Sequence, residues 1–114
     1  MRIFAVLFME EADAFIQDLE FKKLKKVLYT IDLAEKTQDA RLFKKLSGNI
    51  WEFRTLTGGQ QIRLLAFWDK RSPLETLVIA THGFVKKTAK VPACELAKAE
   101  RLRLEYFKQT KPKP

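Results

Sequence analysis

The sequence predicts an α+β domain: a small, mostly antiparallel sheet with a helix pair and a C-terminal helix, in the order β-α-α-β-β-β-α. Three observations carry this reading. Apolar residues recur at helical spacing in two adjoining segments near the N-terminus and once more near the C-terminus. Three consecutive strand-like segments lie between them, separated by turn signals, as in a meander. The chain has 114 residues, 46% of them hydrophobic, with nine Phe and two Trp, enough for one small core. A single domain is expected over residues 1–108, with a basic, Pro-rich tail at 109–114.

The elements follow in order. Ile3–Phe8 is almost wholly apolar and reads as a strand covered on at least one face. Ala12, Phe15, Ile16 and Leu19 then fall on one face of a helix, and Glu10, Glu11 and Asp13 crowd its first turn, where the helix dipole favours acids. A second helix is expected from about Lys22 to Glu35, with Phe21, Leu24, Leu28 and Ile31 as its apolar stripe. Residues 36–49 are polar and hold the turn signal Ser47-Gly48-Asn49. Ile50–Leu56 alternates, with Trp51, Phe53 and Thr55 on one face and Glu52 and Arg54 on the other. Thr57-Gly58-Gly59-Gln60 suits a hairpin. Gln61–Trp68 is apolar on both faces apart from Arg63, as in a central strand. Glu75–Phe84 is the last strand, and Val85–Val91 a basic loop. Pro92 suits the start of a closing helix whose packing stripe is Leu96, Ala99, Leu102 and Tyr106.

Charge narrows the partners. The formal net charge is +8, unevenly spread. Residues 1–20 carry one base, Arg2, against five acids. Residues 41–63 carry five bases against Glu52 alone, and residues 84–114 nine against three. Such an excess suits either a polyanionic partner or a solvated lysine surface. Cys94 is the sole cysteine, so no internal disulfide can form. No segment approaches the roughly 20 apolar residues of a membrane span. A cytoplasmic protein without a membrane partner is expected. One His and one Cys fit few zinc-ligand patterns, and no nucleophile-elbow, zincin or phosphate-loop motif occurs. Neither metal nor cofactor is expected.

Three segments in series carry a resemblance. Leu46-Ser47-Gly48-Asn49-Ile50-Trp51-Glu52-Phe53-Arg54 resembles the L-x-G-x-(L or I)-W-E-L-R segment of HigB-like toxins in the RelE superfamily. Arg63-Leu64-Leu65-Ala66-Phe67 is similar to that family's arginine-led apolar strand. His82-Gly83-Phe84-Val85-Lys86-Lys87-Thr88 resembles its H-G-F-x-K-K-T, and Pro92 with Glu95 its T-P-x-x-E helix start. Val91 stands where relatives carry a capping Thr, and Ala66 where many carry Tyr. The resemblance implies the toxin of a type II toxin–antitoxin system, a metal-independent endoribonuclease acting on mRNA at the ribosome. It also implies a cognate antitoxin of the helix-turn-helix kind, whose surface should be acidic.

Such cleavage needs a base for the ribose 2′-OH, cations for the charge gathering on phosphorus, and an acid for the leaving oxygen. Arg63, Arg54, His82 and Lys87 are the candidate catalytic residues. Arg63 either grips the scissile phosphate with its planar fork or bridges to Glu52 or Asp69. Arg54 shares a face with Glu52 and could be oriented by it. Glu52 is an alternative base, disfavoured by two nearby arginines. His82 can act as base or acid, or serve structurally. Lys44, Lys45, Lys86 and Lys90 are candidate RNA-binding residues. Tyr106 matches a functional Tyr of some relatives, but its place on an apolar stripe favours packing. Trp51 and Trp68 read as core rather than as base-stacking platforms.

Overall fold

The structure, a computed structural model, describes residues 2–111. It contains β1 (Ala5–Phe8), α1 (Glu10–Gln17), α2 (Phe21–Thr37), β2 (Phe43–Ser47), β3 (Ile50–Thr57), β4 (Gln60–Asp69), β5 (Leu77–Lys86) and α3 (Ala93–Gln109). The strands form one sheet in the order β1-β5-β4-β3-β2. β2 to β5 make an antiparallel meander, and β1 joins its end parallel to β5.

The α+β class agrees with the sequence, but the expected strand order lacked β2. That strand lies in the segment read as a polar connection. Phe43-Lys44-Lys45-Leu46 is too short and too charged for its period to show, and pairing with β3 is what orders it. Likewise β5 runs to Lys86, two residues into the segment read as a loop.

The helices are set by what they bury. α1 stops at Gln17, so Leu19 packs from the following turn. α2 buries Val27, Thr30, Ile31 and Ala34, whereas Phe21 and Leu28 of the expected stripe are 69% and 44% exposed. Val27, Ile31 and Ala34 also repeat at helical spacing, and their shorter side chains let the helix lie closer to the sheet. Both helices cover one sheet face, over Phe4, Phe43, Phe53, Ile62, Leu64 and Val78. α3 covers the other face, its Ala99 set against Ile50, Leu65, Phe67 and Ile79.

Three local devices fix the geometry. Phe15 of α1 lies directly on Gly83; a Cβ there would come within 2.7 Å of Leu64 Cδ2 and closer still to the Phe15 ring. The glycine of the His82-Gly83-Phe84 segment is therefore a contact point between helix and sheet. In β5, Leu65 faces His82 while Ala66 faces Ala80, which leaves Thr81 as an extra, bulged residue. At the β1 edge the Val6 N–H donates to Glu35 Oε2 (2.9 Å) and the Ile3 N–H to the Glu35 carbonyl (2.6 Å). The expected basic tail begins inside α3, and Arg71 donates to the Thr110 carbonyl at 2.7 Å. Residues 112–114 lie outside the described residues. Among the described residues no helix is long and apolar enough to cross a membrane.

Candidate functional site

Pleating decides which charges meet. On β3, Glu52 and Arg54 point to the α3 side of the sheet; on β4, Arg63 does so. Register then sets Lys44 of β2 opposite Glu52, Arg54 opposite Arg63, and Lys86 of β5 opposite Gln61. A cavity of about 340 Å³ opens here, between the strands and the start of α3. Lys44, Arg54, Lys86 and Lys90 line it, with Glu52 as its single carboxylate and Leu46, Val91 and Leu96 as apolar wall.

Beneath it lies a buried charge cluster. Arg63 Nε is 3.0 Å from Glu52 Oε1, with both side chains 4% exposed. Arg54 Nε is 3.7 Å from Glu52 Oε2 and remains about one-third exposed (34%). The Arg63–Glu52 contact is one of charge rather than an aligned hydrogen bond, because neither Nε nor Oε1 has a partner at hydrogen-bonding angles. Arg63 donates instead through Nη2 to Gln61 Oε1 at 2.7 Å. Burial pulls its pKa below the ordinary arginine value, the Glu52 charge opposes this, and Arg54 adds to the lowering. Of the two readings of Arg63, the structure shows the bridge to Glu52. Its small exposed fraction touches a second hollow, beside Tyr29 and Leu56, rather than the cavity. Arg54 is the guanidinium that the cavity presents.

Several expected site residues lie elsewhere. His82 is buried under α3, with Nδ1 3.0 Å from Thr81 Oγ1 and Nε2 3.3 Å from Glu95 Oε1. Burial lowers its pKa, against the pull of Glu95. Lys87 is exposed and absent from the cavity wall: β5 continues to Lys86, so alternation turns Lys86 toward the cavity and Lys87 away. For the same reason Lys45 does not extend the Lys44 patch; it faces Trp51 on the opposite side of the sheet. Tyr106 donates to Asp69 Oδ2 at 2.7 Å and packs on Phe67, away from the cavity. Burial, then the Asp69 carboxylate, push its phenol up to about 12. Glu95, partner of His82, was not singled out as a site residue, although its place three residues after Pro92 marked the first helical turn.

The cavity therefore gathers four cations and one anchored carboxylate at the surface. Cations so placed can hold a phosphodiester and neutralise charge that develops on it. Among the described residues, no three His, Cys, Asp or Glu side chains converge as a metal site would require.

Residues 14–104 match the family model described as Phage derived protein Gp49-like (DUF891). Among solved structures, the chain is similar to a chain of the RelBE2 toxin–antitoxin complex of Mycobacterium tuberculosis. That match has a TM-score of 0.56 and 20% identity, over 73% of this chain and 98% of the other, and is a likeness of fold. No curated protein sequence matches the chain.

Proposed function

Because this chain belongs to the Gp49-like family of phage-derived proteins and has the fold of RelE toxins, we propose that it is the toxin of a type II toxin–antitoxin system. Its activity is metal-independent cleavage of mRNA at the ribosome, which stops translation in the cytoplasm. The observation that carries this reading is the cavity ringed by Lys44, Arg54, Lys86 and Lys90.

In the proposed reaction the ribose 2′-oxygen attacks the adjacent phosphorus as the P–O5′ bond breaks. The products are a 2′,3′-cyclic phosphate and a 5′-OH. Arg54 and the ring lysines hold the phosphate and offset the extra charge of the transition state. A lysine of the ring takes the 2′ proton, with Glu52, disfavoured by its two arginines, as the alternative base; another lysine protonates the leaving oxygen. Arg63 acts by positioning Glu52. His82 acts by tying β5 to Glu95 at the start of α3. Lys87 and Lys45 lie off the reacting centre; Lys87 adds to the long-range attraction of RNA. The antitoxin partner is acidic where it covers the cavity.

A second reading, a non-catalytic module that binds RNA or the antitoxin, draws on the closure of His82 by Thr81 and Glu95 and of Arg63 by Glu52. One experiment separates the two. The purified protein is added to ribosomes translating a defined mRNA, and cuts are mapped by primer extension. Discrete cuts that vanish in Arg54→Ala support the nuclease. Ribosome binding without cuts supports the module.

A further inference from the structure

A hollow of about 650 Å³ lies on the opposite face of the sheet, beyond the C-terminal end of α2. Both tryptophans of the chain line it, together with Lys45, Lys70, Gln38 and Asn49. No Asp or Glu does. We propose that this hollow binds a nucleotide unit, the base against the indoles and the phosphate on Lys45 and Lys70, and that its source is single-stranded RNA. Only the naming of RNA as source rests on the proposed function.

The tryptophans are held rather than loose. Trp51 stacks on Phe43 with centroids 4.9 Å apart and meets Trp68 edge-on at 5.5 Å. Trp68 in turn edges Phe4 at 5.1 Å. Both indoles are half-buried, so each presents surface to the hollow from a fixed position, and binding orders little. Lys70 Nζ sits 4.8 Å from the Trp68 centroid, over the ring, so an arriving base takes that face as the ammonium turns to its phosphate. Lys45 and Lys70 form no ion pair among the described residues, whereas Arg103, also in the wall, is engaged by Glu100 at 2.8 Å. Indole surfaces, two ammonium groups without a carboxylate partner among the described residues and two side-chain amides fit a base with its phosphate. An acidic peptide would satisfy the lysines and leave the indoles and amides unused.

Because Trp51 and Trp68 are the only tryptophans, intrinsic fluorescence reports this hollow directly. The full-length protein is titrated with a 2′-O-methyl hexaribonucleotide, which cannot be cleaved by 2′-OH attack, and with AMP, inorganic phosphate and a poly-glutamate peptide. The hexamer should quench, AMP should quench at higher concentration, and phosphate should not. Lys45→Ala with Lys70→Ala, both at exposed positions, should weaken the hexamer by roughly tenfold at this site. Lys86→Ala with Lys90→Ala, across the sheet, should leave AMP quenching intact even if it ends cleavage. AMP binding as tightly as the hexamer would keep the nucleotide site but overturn RNA as its source. Absence of quenching, quenching indifferent to Lys45 and Lys70, or equal quenching by poly-glutamate overturns the proposal.

Discussion

Removing Arg63 should first destabilise the protein and only secondarily disarm it. Arg63 and Glu52 are each 4% exposed at the side chain, 3.0 Å apart. Taking away one partner of a buried pair leaves a charge without compensation, at a cost of roughly 3–5 kcal/mol. The low end applies here, because Arg54 Nε stays 3.7 Å from Glu52 and is itself one-third exposed. We therefore expect Arg63→Met to lose about 3 kcal/mol, a fall in melting temperature on the order of 12 °C for a domain of this size. Arg63→Met combined with Glu52→Leu should recover most of that loss, since an apolar pair of similar volume removes both desolvation penalties. Urea denaturation of wild type, both single variants and the double closes the cycle, with unchanged m values as the check on a two-state comparison. The reasoning is refuted if Arg63→Met costs under about 1 kcal/mol yet abolishes growth arrest, for Arg63 would then serve the chemistry directly rather than hold Glu52.

Other outcomes follow from the same geometry. Replacing Lys86 and Lys90 together by Ala should flatten the salt dependence of single-stranded RNA binding by roughly 1.4 in log–log slope, two phosphate contacts' worth; filter binding across a salt series measures it. Arg71, foremost, and Tyr106 hold the Asp69 carboxyl down to about 2, against an ordinary value of 3.8. A depressed carboxylate contributes its stability above the unfolded value and loses it as pH falls from about 3.8 toward 2, so about 2 kcal/mol should fade in that window and be absent in Asp69→Asn, read from melts at stepped pH. Gly83→Ala should cost roughly 1–3 kcal/mol by forcing Phe15 and Leu64 apart, and Phe15→Leu in the same chain should return part of it in thermal melts.

Strong alternation survived into the fold, and weak or competing patterns did not. Glu52 and Arg54 share a face as their spacing in β3 required, and Arg63 is the charge that a central strand could not leave unpaired. The sequence offered Glu52 or Asp69 as its bridge partner, and only register decided between them: Asp69 lies six residues further along β4, at the other end of the strand. α2 carried two apolar stripes, and their competition is settled by the closeness of the sheet, which no single-helix pattern contains. β2 was invisible because its order comes from β3, yet it delivers Lys44 to the cavity. The two-residue extension of β5 separates Lys86 from Lys87, and the same parity separates Lys44 from Lys45, so adjacent lysines that looked like one patch serve opposite faces.

Glu35 has a consequence beyond its own helix. A side strand lying parallel to its neighbour offers any passing molecule a row of amide donors, the usual template for sheets to grow from one copy into the next. Here a carboxylate already occupies the Val6 donor, filling the place a stranger's carbonyl would take. At the far side β2 carries two consecutive lysines, and like charges deter self-pairing there. Margins guarded in this way disfavour growth of the sheet from one copy into the next, and Glu35→Ala should make aggregation rise steeply with concentration while the isolated fold still assembles.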